Sequence, residues 1–222
     1  MRQIQSKVLV VSVSLALLVA MSQYAEAQRR GGRFGGVSRV QLASLDEVQE
    51  ELKLTGEQKE NAADLNEKLR SDIRDAWQAA RDAGGGFASV GEKLQKMRQE
   101  ASAKFVKVLE EPQQSRLGEI FVQVNGARAL SDRDVNAALK LTDEQNQKLK
   151  DVTADGGEAI RDAFEDLRDV SREERREKFA ELREKTDEQR LAVLTKEQTD
   201  AFKKMEGEEI ELDLSPLFRR RN

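Results

Sequence analysis

Seven residues recur almost unchanged in this chain: LKLTGEQ over 52–58 and LKLTDEQ over 139–145. The recurrence is not local. The shift of 87 that carries Leu54 onto Leu141 also carries Ser44 onto Ser131, Val48 onto Val135 and Leu52 onto Leu139. It carries Ile73-Arg74-Asp75-Ala76-Trp77 onto Ile160-Arg161-Asp162-Ala163-Phe164, and Arg81-Asp82 onto Arg168-Asp169. Further on the shift is 85, with Val108-Leu109 meeting Val193-Leu194, so a two-residue length difference falls near Gly84-Gly85-Gly86. One register held this far marks two copies of one unit, spanning about 43–129 and 130–207.

Each copy reads as helices. Thr55 followed by Gln58 is a capping box: the threonine accepts from a free N–H of the first turn and the glutamine reaches back to the cap's own N–H. Glu57 lies where the positive end of the helix favours an acid. Thr142, Glu144 and Gln145 repeat the arrangement behind Leu141, and Thr195, Glu197 and Gln198 repeat it behind Leu194. The fourth counterpart, Leu109-Glu110-Glu111-Pro112-Gln113, is degraded, although Pro112 still suits a helix start. A short capped turn, Ser44-x-x-Glu47 or Ser131-x-x-Asp134, is expected ahead of the first start in each copy.

Apolar spacing agrees with helix. Leu65, Leu69, Ile73 and Trp77 lie four apart. Val90, Leu94, Met97, Ala101, Phe105 and Val108 approach a coiled-coil seam. Copy two has Leu149, Val152, Ile160, Phe164 and Leu167, then a poorer row of Phe179, Leu182, Thr186, Gln189 and Val193. The helices are expected to run about 25 residues, or about 38 Å. Gly156-Gly157 falls mid-helix, where each glycine costs about 1 kcal/mol against alanine. That predicts a kink or local looseness, with a helix break as the alternative. Charged residues make up 36 % of the chain and aromatics 5 %, a mixture suited to solvated helices rather than sheet. The fold class expected is all-α: two tandem helical-hairpin units with long antiparallel helices, related by a pseudo-two-fold.

The N-terminus reads as a signal peptide over 1–27. Arg2 and Lys7 precede an apolar run from Val8 to Met21, and Ala25-Glu26-Ala27 supplies a cleavage site. Export, to the periplasm or beyond, is the expectation. The Gly/Arg segment 28–42 reads as a flexible leader. Residues 208–222 read as an extended tail, with Glu209-Ile210-Glu211-Leu212-Asp213-Leu214 alternating like a strand that has no partner. The chain contains no cysteine and no histidine. It therefore lacks the commonest general base and the thiolate and imidazole metal ligands. No cofactor, metal or catalytic constellation is expected.

Short exported chains with repeated LTxxQ segments resemble the LTxxQ-motif proteins, the Spy and CpxP type of periplasmic stress chaperones. Matching positions are Leu54-Thr55-Gly56-Glu57-Gln58, Leu141-Thr142-Asp143-Glu144-Gln145 and Leu194-Thr195-Lys196-Glu197-Gln198. The resemblance implies helical units with two motifs each, paired into a curved cradle that holds polypeptide clients without catalysis. Two units in one chain imply a fused pseudo-dimer that is a monomer in solution. An adaptor for one specific envelope partner is the alternative. The chain departs from the family in its acidic balance, and its lack of histidine and cysteine means that metal binding does not carry over.

Two aromatics stand out at equivalent positions. Trp77 and Phe164 either line a client groove or pack in the core, and their equivalence favours the core. Asp132-Arg133-Asp134-Val135-Asn136 opens like a calcium loop, but Ala137 and Asp143 stand where glycine and glutamate belong. Arg29-Arg30-Gly31-Gly32-Arg33 in an exported acidic chain reads as linker, with no nucleic acid implied. Arg219 to Arg221 offer a contact to anionic lipid or polysaccharide, but three charges bind weakly.

Overall fold

The computed structural model describes residues 36–84 and 90–218. The expected signal peptide over 1–27, the leader up to residue 35, Gly85, Gly86 and the arginines at 219–221 lie outside the described residues. Among the described residues all regular structure is helical. In order the elements are α1 (Arg39–Leu42), α2 (Asp46–Glu51), α3 (Gly56–Asp82), α4 (Gly91–Val106) and α5 (Glu111–Asn125). A 3-10 turn (Gly126–Ser131) leads to α6 (Arg133–Leu139), α7 (Asp143–Asp166), α8 (Arg172–Leu191), α9 (Lys196–Lys204) and α10 (Ser215–Phe218). The chain is all-α, as its sequence predicts. None of the described helices is long and apolar enough to cross a membrane.

The most extensive packing is α3 on α4 and α7 on α8. The innermost positions of α3 include Ala62, Leu69 and Ala76, and those of α7 are Leu149, Gly156 and Ala163. Both sets repeat every seven residues and are related by the shift of 87. Small residues dominate them, so partner helices approach closely. Leu69 belongs both to this seam and to the expected row of Leu65, Leu69, Ile73 and Trp77, whose other three members are only half-buried.

α1 packs against α3, α4 and α5, while the 3-10 turn packs against α5, α6, α7 and α8. These two short elements occupy equivalent sequence positions, and they sit at the centre of one continuous core. Val40, Leu42, Leu117, Ile120, Leu130, Val135, Leu149 and Phe202 all belong to it. A smaller cluster of Ala76, Ala80, Val90 and Leu94 fills the far end of the α3–α4 pair.

Three expectations need correction, and one alternative is excluded. Order begins before residue 42: Val37, Ser38, Arg39, Val40 and Leu42 are buried. Asn125 holds this entry by accepting from the Val37 N–H at 2.9 Å and donating to the Val37 carbonyl at 3.0 Å. The short turns are not capped by Ser44 and Ser131. Leu45 precedes α2 without a side-chain cap, and Asp132 caps α6 by accepting from the N–H groups of Asp134 and Val135. Ser44 instead donates to the Gln41 carbonyl and accepts from Asn66.

Gly156-Gly157 neither breaks nor ends α7, which runs through both. A Cβ at Gly156 would lie 2.7 Å from Thr186 Cγ2, whereas Gly157 faces open space. Gly156 is thus the contact point at which α8 crosses. By register the same site in copy one pairs Leu69 with Ala101, so large and small have exchanged helices. On α8 itself the inward row departs from the expected one: Gln189 is exposed, and Asp187 and Arg190 are buried beside Thr186.

Candidate functional site

The repeated heptapeptide is a complete helix-to-helix junction. Leu52 closes α2, and Lys53 takes a left-handed conformation at φ 50°. The Leu54 N–H then bonds to the Gln49 carbonyl and the Lys53 N–H to the Glu50 carbonyl, both at 3.0 Å, which is the Schellman pattern. Lys140, at φ 51°, repeats it with Leu141 and Asn136. Thr55 follows at once as N-cap of α3, accepting from the Gln58 N–H at 3.2 Å while the Thr55 N–H donates to Gln58 Oε1 at 3.0 Å. Thr142–Gln145 and Thr195–Gln198 form the same capping boxes on α7 and α9. Leu54 is buried beneath the junction, while Leu141 and Leu194 are half-buried and Glu57, Glu144 and Glu197 are exposed. Lys148 beside Glu144 holds that carboxyl below its ordinary range.

The glutamines do more than cap. Gln58 Nε2 donates to Gln113 Oε1 at 2.9 Å, and Gln113 Nε2 donates back to Gln58 Oε1 at 3.1 Å. Their remaining protons reach the Val108 and Leu52 carbonyls, each at 3.0 Å. Gln113 Oε1 also accepts from the Glu110 N–H at 2.9 Å. Each amide therefore makes two bonds as donor and two as acceptor, which uses its full capacity and fixes its orientation. Gln145 and Gln198 repeat every contact, with the Val193 and Leu139 carbonyls in place of Val108 and Leu52. The fourth motif is thus not degraded where it matters. Glu110 replaces threonine, Pro112 sits in the first turn of α5, and Gln113 completes the clasp.

Glutamine is the side chain this geometry needs. An ordinary capping box accepts glutamate as readily, but a carboxylate has no proton for the carbonyls. All four sites carry glutamine in a chain with 42 acidic residues. That uniform choice is the signal that capping alone leaves unexplained.

The aromatics Trp77 and Phe164 are not in the main core. Trp77 is half-buried against the Ala76–Leu94 cluster at the far end of α3–α4. Phe164 is 47 % exposed, with its ring 4.5 Å from that of Phe179 near the far end of α7–α8. The core role expected of Phe164 fails because α7 buries Ala163 instead, one position earlier.

The buried charged residues Arg39, Asp187 and Arg190 form ion pairs. Arg39 makes two hydrogen bonds to the Asp132 carboxylate, at 2.8 and 2.9 Å, and lies over the Phe121 ring. Asp132 caps α6 as well. Arg190 bonds Asp187 at 2.6 Å and Thr153 at 3.4 Å. Burial pushes its guanidinium below the ordinary value, with Asp187 opposing. Among the described residues no group of three or more acidic, histidine or cysteine side chains is placed to hold a metal.

The C-terminal segment lies along α5. Gly207, at φ +60°, turns the chain over Glu119, and a Cβ there would overlap that side chain. Gln123 Oε1 then accepts from the Ile210 N–H at 3.2 Å, and Gln123 Nε2 donates to the Glu208 carbonyl at 2.6 Å and to that of Glu206. Arg116 donates to the Glu208 carbonyl at 2.8 Å and pairs with Glu51 and Glu119. Leu214 is buried, Ile210 and Leu212 are half-buried, and the acidic residues between them are exposed.

Comparison with protein-family models, curated proteins and solved structures gave no match to this chain.

Proposed function

We propose that this chain is an exported, non-catalytic binding protein of the LTxxQ type that holds segments of other polypeptides. Its two copies stand in for two subunits about a pseudo-two-fold, so it acts as a monomeric pseudo-dimer. It works in the periplasm or outside the cell, after cleavage behind Ala27. The supporting observation is the pair of equivalent aromatics. Phe164 presents half its surface on Phe179, and Trp77 is half-buried, each toward the end of its helix pair.

The physics suits brief holding. Covering one half-exposed aromatic and its apolar neighbours yields only about 1–2 kcal/mol. Several such contacts inside a charged rim retain an unfolded segment without trapping it. The clasps support this reading from the other side. They fix the opposite ends of the helix pairs with saturated hydrogen bonds, so the helices present a defined surface and do not collapse onto a client.

The test is light scattering of several aggregating clients with the protein as recovered from the cell. Slower aggregation at equimolar protein is expected. An unchanged rate with every client defeats the proposal. Recovery of one stoichiometric envelope partner in a pull-down, without client protection, replaces it with the adaptor role.

A further inference from the structure

Residues 208–210 are held to α5 through their backbone, while Ile210, Leu212 and Leu214 pack against the core. The side-chain amide of Gln123 accepts from one N–H and donates to a carbonyl two residues earlier, which is how a neighbouring strand would pair with an extended chain. Arg116 adds a second donor to the same carbonyl. Neither contact reads a side chain of the segment. What the segment contributes is spacing: Ile210, Leu212 and Leu214 turn inward while Glu209, Glu211 and Asp213 stay in solvent.

We infer that the α5 surface under residues 208–214 is a peptide-binding groove. The chain's own C-terminal segment fills it in cis, and it takes extended polypeptides with apolar residues at alternate positions in trans. The cis segment is the template for the partner's chemistry. A competing segment must be extended, must offer a free N–H and carbonyl to Gln123, and must place an apolar side chain at every second residue. The inference rests on the polypeptide-holding reading above and names a site for it. Any trans ligand competes with a tethered occupant, so affinity is lowered by the fraction of time the groove is covered.

A labelled peptide of residues 207–218 serves as probe against the full chain. Ile210→Ser with Leu212→Ser loosens the cis segment without touching Arg116 or Gln123. That variant is expected to bind the probe about ten-fold more tightly than the unaltered chain, as when a groove open about one-tenth of the time becomes always open. Adding Gln123→Ala is expected to abolish the gain. A shuffled peptide with its apolar residues contiguous is expected not to bind. Equal binding by the variant and the unaltered chain, or binding indifferent to Gln123→Ala, overturns the inference.

Hydrogen exchange on the unaltered chain gives a second reading free of folding defects. Excess probe must speed exchange of the Ile210 amide, and an unchanged rate overturns the inference too. If the unaltered chain protects clients while the probe fails both tests, only the groove is wrong. If the probe binds as expected but no client is protected, the holding function is wrong and the groove stands.

Discussion

Gln58 and Gln113, 55 positions apart in sequence, exchange two side-chain amide hydrogen bonds, and each also takes up a helix-end carbonyl and a helix-start N–H. Gln58→Glu keeps the shape and the capping acceptor but removes both protons. It leaves the Val108 carbonyl unpaired and sets a carboxylate against Gln113 Oε1. A loss of about 2–3 kcal/mol in urea unfolding at pH 7 is expected. The new carboxyl is favoured neutral in the folded state, so its folded pKa lies above its unfolded one. The deficit is therefore full at neutral pH and shrinks as pH falls through the folded pKa. Unfolding at pH 7 and pH 4 checks both parts, and a deficit that grows on acidification contradicts the clasp.

Asp132 joins the start of one copy to the start of the other through Arg39, with both side chains about nine-tenths buried. Asp132→Ala strands a buried guanidinium and uncaps α6. The expected cost is about 3–5 kcal/mol. Asp134 is 3.7 Å from the same arginine but is 69 % exposed, so Asp134→Ala is expected to cost under about 0.5 kcal/mol. Chemical denaturation of the two variants side by side measures the contrast, and equal losses would count against it.

The fold class and every threonine cap were legible in the sequence, because capping and helical periodicity are local. The clasp was not, since pairing Gln58 with Gln113 requires knowing that two helix starts meet. Only the invariant choice of glutamine hints at it. Glu110 hid the fourth site because it keeps the backbone geometry while losing the threonine signature. Residues 37–42 read as leader because their six residues are too few to show a period. Their burial depends on α3, α4 and α5 surrounding them. Phe164 lies outside the core for a related reason: its row and the Ala163 row are both apolar, and the close approach at Gly156 selects the smaller one.

Phe164 adds little to stability where it stands. Its half-exposed ring pairs with Phe179, an interaction worth about 0.5–1.5 kcal/mol. Phe164→Ser should lower thermal stability only slightly while weakening protection of aggregating clients. Differential scanning calorimetry and light scattering on one preparation separate the two effects. Full client protection by a folded F164S protein would remove this aromatic from the binding surface.

Gly156 and Gly157 make the sharpest pair of substitutions, since neighbours in one helix should respond differently. Gly157→Ala meets open space and gains the helix propensity of alanine, so stability should rise by about 1 kcal/mol. Gly156→Ala gains the same propensity, but its methyl would lie 2.7 Å from Thr186 Cγ2 and 2.8 Å from Thr186 Oγ1. Overpacking of that kind costs about 1–3 kcal/mol, leaving a net loss or at best no gain. Thr186→Ala should relieve that clash, and in the G156A/T186A protein the two changes should couple favourably by about 1 kcal/mol or more. A double-mutant cycle in urea measures the coupling. Strict additivity would mean that α7 and α8 do not meet at these residues, and the register that aligns Leu69–Ala101 with Gly156–Thr186 would fail with it.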